Sequence, residues 1–379
     1  MKIKNIIFSL LAIFSLVSCA DKVEPIIEGY RYPDDGLPKE IDPETIVLKE
    51  GCTHTKLQMA YLESTYKSIE KYANGQKENS IPNPIKIDYS SLNLSSVDNY
   101  KIEFSTSATF ENSYVDNLYD LKTYDFYNGL TDTKYYWQIK DNEGNILDLK
   151  GDFKTCEHLP RMLKVEGVTN VRDLGGYKTK DNKKIKQGLL YRGGRLNDSY
   201  TYEPKLGISE KGIEVLTKQL GVKSELDLRR LEEDDKNAQE AGHRNEIQIP
   251  GISLKSVSLD YSIKSELQKE LFVEIFDYLA DENNYPLYFH CNIGTDRTGL
   301  IAFWLLNLVG VEETTIYKEY CMSALANIGQ PRTHKSLQKE WLALYEYDHE
   351  DFTKATELYL KDLGIKEETL SKIKSIILE

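Results

Sequence analysis

Three textures of polar and apolar positions follow one another along the 379 residues. The first is an almost wholly apolar run at residues 6–17, preceded by Lys2 and Lys4 and closed by Leu16-Val17-Ser18-Cys19. A run of that length is too short for a permanent bilayer span, which needs about 20 apolar residues, but it suits the core of a secretory signal over residues 1–18. Residues 19–40 are polar with Pro25, Pro33 and Pro38 and read as a tether. Beyond them the chain alternates at period two. In YYWQIK at 135–140, Tyr135, Trp137 and Ile139 share one face of a strand. The turn cluster DNEGN at 141–145 and a second run at 152–155 complete a predicted hairpin, and KIEFS at 101–105 is another strand. Short strands with frequent turns predict an all-β sandwich over residues 41–157.

From residue 158 to 379 the texture becomes α/β. A helical stretch at 209–220 leads into a strand at 222–228, PLYF at 286–289 is a short apolar strand, and 300–309 is apolar throughout, as in a buried helix. Helical patterns fill the chain from residue 312 and end with 367–378. The expected architecture is therefore a central sheet flanked by helices, preceded by the sandwich.

Composition narrows the function. A net charge of -13 argues against non-specific nucleic-acid binding, although a local pocket can still hold a small phosphate. The 26 tyrosines are spread over both halves and mark no single surface. Five cysteines (Cys19, Cys52, Cys156, Cys291, Cys321) are too few for a disulfide scaffold in this length. Cys52 and Cys156 could pair only if their strands adjoin, which spacing leaves open.

Candidate chemistry concentrates in HCNIGTDRTG at 290–299. Arg297 follows Cys291 by six places, whereas the same offset from the other four cysteines gives Pro25, Gln58, Met162 and Asn327. An apolar strand precedes the loop and a buried helix follows Thr298. Such a loop can turn the N–H groups of Asn292, Ile293, Gly294, Thr295, Asp296 and Arg297 onto an oxyanion, with the helix N-terminus adding positive potential. The Arg297 fork can clamp two phosphate oxygens. The same field, with the Thr298 hydroxyl, favours a thiolate at Cys291. No metal or other cofactor is expected for such chemistry.

These residues resemble the active-site loop of the protein tyrosine phosphatase superfamily, and more narrowly bacterial secreted tyrosine or dual-specificity phosphatases with an HCxxGKDRTG loop. GVTNVRDLGGY at 167–177, LYRGGRL at 190–196 and ELDLR at 225–229 are similar to further motifs of that branch, in the same order. The resemblance implies a cysteinyl-phosphate mechanism acting on phosphotyrosine, in proteins or small phosphomonoesters, and possible dual specificity. Thr295 stands where the relatives often carry lysine, which weakens the alternative of an inositol-phosphate or phosphoinositide substrate. A weakly active phosphate-binding surface protein is the other alternative, opposed by the intact Cys291, Arg297 and Thr298. Asp296 and Asp260 compete as the acid for the leaving group, with the motif favouring Asp296. His290, Arg172 and Asp173 are expected in support. The tetrad ending at Cys19 resembles a bacterial lipobox, implying a lipid-anchored, extracytoplasmic protein. The segment around 130–155 resembles a fibronectin type III-like domain.

Overall fold

Alternation is expected from residue 41, but the chain first forms helices. The computed structural model describes residues 32–33, 35–196, 207–229, 249–260 and 265–379; Cys19 and the signal-like run lie outside them. Helix α1 (Lys56–Leu62) starts at a capping box in which Thr55 and Gln58 each accept the other's backbone N–H, and α2 (Ile69–Tyr72) follows. Their apolar residues do not join a sandwich. Tyr66 stacks on Tyr317 with centroids 4.6 Å apart, and Lys318 Nζ donates to Leu62 O at 2.6 Å, so this segment packs on the α/β part. That distant burial explains why local alternation misread it.

The β layer is made of β1 (Ile85–Asp88), β2 (Tyr100–Ser105), β3 (Tyr114–Asn117), β4 (Thr123–Phe126), β5 (Lys134–Asp141) and β6 (Ile146–Lys154). An antiparallel sheet in the order β3-β2-β5-β6 faces the β1-β4 pair. Tyr135, Trp137 and Ile139 are all buried, and Phe104, Phe126 and Tyr135 pack ring against ring between the two sheets.

The second sheet collects β7 (Arg161–Met162), β8 (Arg172–Asp173), β9 (Leu190–Gly193), β10 (Ser224–Asp227), β11 (Ser253–Ser256) and β12 (Leu287–His290), in the order β11-β10-β12-β9-β8-β7. Strands β11, β10, β12 and β9 run parallel, so their C-terminal ends share one edge. Ligands of open α/β sheets bind at that edge. The helices are α3 (Glu210–Glu214), α4 (Glu266–Leu279), α5 (Asp296–Leu308), α6 (Glu313–Cys321), α7 (Gln338–Tyr345), α8 (Phe352–Asp362) and α9 (Glu367–Ile377). Helix α5 is buried from Arg297 to Leu308, because Trp304 stacks on Tyr359 at 4.4 Å and Phe303 meets Trp341 edge-on at 4.8 Å. Among the described residues, no helix is long and apolar enough to cross a membrane.

Candidate active site

Cys291 leaves the end of β12 and lies 2% exposed at the base of a loop that runs into α5. Gly294 has φ +69°, and a Cβ there would stand 2.2 Å from the backbone C and O of Gly193, so glycine alone fits. Asn170 Nδ2 donates to the carbonyls of Ile293 and Gly294, both at 3.1 Å, and Arg192 Nη2 donates to Gly294 O at 2.8 Å. On the flank, the backbone N–H of Arg195 reaches Asn292 O at 3.1 Å, and its Nη1 reaches Asn292 Oδ1 at 2.9 Å. The loop carbonyls are thus drawn outward. Among the described residues, no protein acceptor takes the N–H groups of Asn292, Ile293, Gly294 or Thr295. A row of such unclaimed N–H groups ahead of a helix N-terminus is an anion cradle.

A buried carboxylate holds the parts that hold the loop. Glu319, on α6 and 2% exposed, accepts from Arg172 Nε at 2.6 Å and from Arg192 Nη1 at 2.8 Å. Arg172 also donates to Asn170 Oδ1 and, at 3.0 Å, to Ser323 Oγ. Asn170 therefore presents its oxygen to Arg172 and its nitrogen to the loop. Arg172 supports the cradle from two contacts away. Asp173 instead accepts from Arg161 Nη2 at 2.7 Å and from the N–H groups of Gly175 (2.8 Å) and Gly188 (2.7 Å), which ties β8 to its surroundings. The buried Thr295 hydroxyl lies on Asn170's side, accepting from its Nδ2 at 3.3 Å.

Electrostatics favour a thiolate. Burial alone would raise the Cys291 pKa, but the Arg297 charge and hydrogen bonding from Thr298 outweigh it and hold the thiol below its ordinary value. The Thr298 hydroxyl is buried with no other partner among the described residues and acts on the Cys291 sulfur together with the Thr298 N–H. Arg297 Nη1 is steadied by Leu228 O at 3.0 Å, at the end of β10. His290 meets two acceptors, the Cys291 carbonyl at 2.9 Å and Glu225 Oε1 at 2.8 Å, with Asp227 4.0 Å away. Burial works against its charge, but Asp227 and Glu225 prevail and raise its pKa. An imidazolium satisfies both acceptors and locks the loop to β10. Glu225, Asp227 and His290 stand close enough to ligate a metal, yet both ring nitrogens are committed and Asp227 is held by Arg229 at 2.6 Å, so the group is an ion-pair network.

The two candidate acids sit differently. Asp296 opens α5, and both its oxygens accept from Arg332, at 2.6 and 2.9 Å. The pair borders a cavity of about 240 Å³ with Arg297, Leu300, Tyr320 and Lys339. Asp260 follows β11 on the sheet edge that carries Cys291, and its N–H donates to Gln268 Oε1 at 2.7 Å on α4. Sequence reasoning assigned no role to Asn170, Arg192, Glu319 or Arg332. Glu319 did carry a signal, since it is the charge among Ile316, Tyr317 and Tyr320 on an otherwise apolar helix face. Arg332 carried none, because its partner comes from another element.

Comparison with known proteins agrees with this geometry. A family profile described as "Tyrosine phosphatase family" matches residues 163–379, more than half of the chain. A tyrosine-protein phosphatase of Nostoc commune is 30% identical over 30% of this chain and 44% of its own. A probable tyrosine-protein phosphatase of Dictyostelium discoideum is 27% identical over 25% of this chain and 54% of its own. The chain thus spans about half the length of these two curated relatives. The crystal structure of the catalytic core of the PP-IP phosphatase Siw14 from S. cerevisiae, in complex with citrate, aligns with a TM-score of 0.29 and 19% identity, over 46% of this chain and 94% of that one.

Proposed function

Because the chain belongs to the tyrosine phosphatase family, we propose that it hydrolyses phosphomonoesters, phosphotyrosine foremost, through a cysteinyl-phosphate on Cys291. The observation that carries this reading is the buried, ionisation-prone sulfur beneath a loop in which, among the described residues, no protein acceptor takes the N–H groups of Asn292, Ile293, Gly294 or Thr295. In the first step the Cys291 thiolate attacks phosphorus while Arg297 and the loop N–H groups of residues 292–297 bind the equatorial oxygens. The phosphorus–oxygen bond to the leaving group breaks, and the departing oxygen takes a proton from Asp260. In the second step Asp260 accepts a proton from water as that water attacks phosphorus. The sulfur–phosphorus bond breaks, and Thr298 steadies the returning thiolate.

Asp260 is preferred over Asp296 because Arg332 engages both carboxylate oxygens of Asp296. Asp296 then positions Arg332 at the rim. A phenol, with a pKa near 10, leaves far more readily than an aliphatic alcohol, which favours phosphotyrosine over phosphoserine or an inositol phosphate. The first 18 residues act as a lipoprotein signal, and Cys19 carries the anchor, outside the cytoplasm on the periplasmic side or the cell surface of a bacterial membrane. The β layer serves as a fibronectin type III-like spacer.

The test is turnover of an aryl phosphate by the wild-type and Cys291→Ser chains. Turnover by the wild type alone is expected. Equal rates overturn the assignment.

A further inference from the structure

Two copies of the pattern Cys-x-His, Cys52-Thr53-His54 and Cys156-Glu157-His158, lie on neighbouring backbone segments. The N–H of Cys156 donates to Gly51 O at 3.0 Å. Gly51, at φ +74°, permits this approach, for a Cβ there would stand 1.9 Å from Lys154 O. The ligand atoms of Cys52, Cys156 and His158 all lie within 4.8 Å of one another, and His158 Nδ1 is 3.1 Å from Cys156 Sγ.

His54 supplies the independent observation. It is 1% exposed, and its Nε2 is 2.8 Å from Pro160 O. A carbonyl can only accept, so Nε2 carries the proton and Nδ1 holds the lone pair. That Nδ1 is buried with no hydrogen-bond partner among the described residues, and the ring lies beside Cys156 and 6.2 Å from the His158 ring. An orphaned ring nitrogen is costly to bury. A backbone carbonyl that fixes the far nitrogen is also the usual outer support of a metal-ligating histidine.

We propose that Cys52, His54, Cys156 and His158 bind one zinc ion that clamps the chain ahead of the β layer to the junction between β6 and β7. Two thiolates with two neutral imidazoles form the donor set of a closed, tetrahedral structural zinc site. A Cys52–Cys156 disulfide would use the two sulfurs but leave both imidazoles aimed at nothing. The ion takes no part in the reaction at Cys291.

The full chain, reduced, incubated with zinc chloride and desalted, is assayed for bound metal by mass spectrometry and, after cobalt exchange, by visible absorption. One ion per chain is expected, with thiolate-to-cobalt charge-transfer bands and a higher unfolding temperature than the metal-free chain. His158→Ala, at a partly exposed position, and Cys156→Ser should each raise the zinc Kd at least about tenfold. Cys291→Ser should bind as the wild type does. The proposal is overturned if no metal is retained, if His158→Ala and Cys156→Ser bind undiminished, or if Cys291→Ser loses the ion. It is also overturned if chain isolated without reductant carries a Cys52–Cys156 disulfide in the presence of zinc.

Discussion

Arg332 closes on both carboxylate oxygens of Asp296, Nε to Oδ1 at 2.6 Å and Nη2 to Oδ2 at 2.9 Å. The residue that the loop motif favoured as proton donor is thereby engaged, and in the proposed mechanism the proton comes from Asp260 instead. Asp260→Asn should lower kcat for aryl phosphates by about 10²-fold or more and remove the basic limb of the pH profile. Asp296→Asn should keep that limb and act mainly on KM, through the freed Arg332. A profile flattened by Asp296→Asn alone would return the role to Asp296.

The Cys291 pKa is lowered despite burial, by Arg297 and Thr298. Its thiolate should therefore persist well below the ordinary thiol pKa near 8.5. Alkylation by iodoacetate, followed against pH, should show a midpoint under that value, and Thr298→Val should move it upward. A group whose folded pKa is depressed stabilises the fold above its unfolded pKa, and that contribution is lost as pH falls through the folded pKa. Wild type should accordingly lose more stability than Cys291→Ser on acidification across that window.

Glu319 is the carboxylate shared by Arg172 and Arg192, both fully buried. Glu319→Gln leaves two guanidinium charges without a counter-ion, and a loss of about 3–5 kcal/mol is expected in urea unfolding. A change below 1 kcal/mol would show that the arginines find other partners.

Gly294→Ala should separate the cradle from the rest of the fold. The new methyl meets Gly193 backbone at 2.2 Å, so the loop must shift. A displacement of about 1 Å at a reacting centre costs about 10²-fold in rate. The variant should show that loss in kcat with a melting temperature close to wild type.

Much of this was legible in the chain. Tyr135, Trp137 and Ile139 announced β5, and the apolar stretch through Leu300 to Val309 announced α5, because burial on one face or on all faces writes itself into local pattern. The loop was legible because its chemistry needs Cys291, Gly294 and Arg297 at fixed spacing. Helix α1 was not, since its segment is covered by partners far along the chain, with Tyr66 stacked on Tyr317 and Lys318 donating to Leu62 O. Glu319 showed only as a lone charge on an apolar helix face and Arg332 not at all, for their roles arise where elements remote in sequence meet. The paired Cys-x-His motifs stood in plain view as letters, but it takes the contacts of Gly51 with Cys156 and of His54 with Pro160 to bring them together.

The central claim is that Cys291 itself carries the phosphoryl group. Rapid acid quench of the enzyme during turnover of an aryl phosphate, followed by peptide mass spectrometry, tests it directly. One phosphoryl group on Cys291 is predicted, accumulating further in Asp260→Asn, where hydrolysis of the intermediate is slowed. Turnover with no phosphoryl group on Cys291 in either chain, or with the group on another residue, would contradict it.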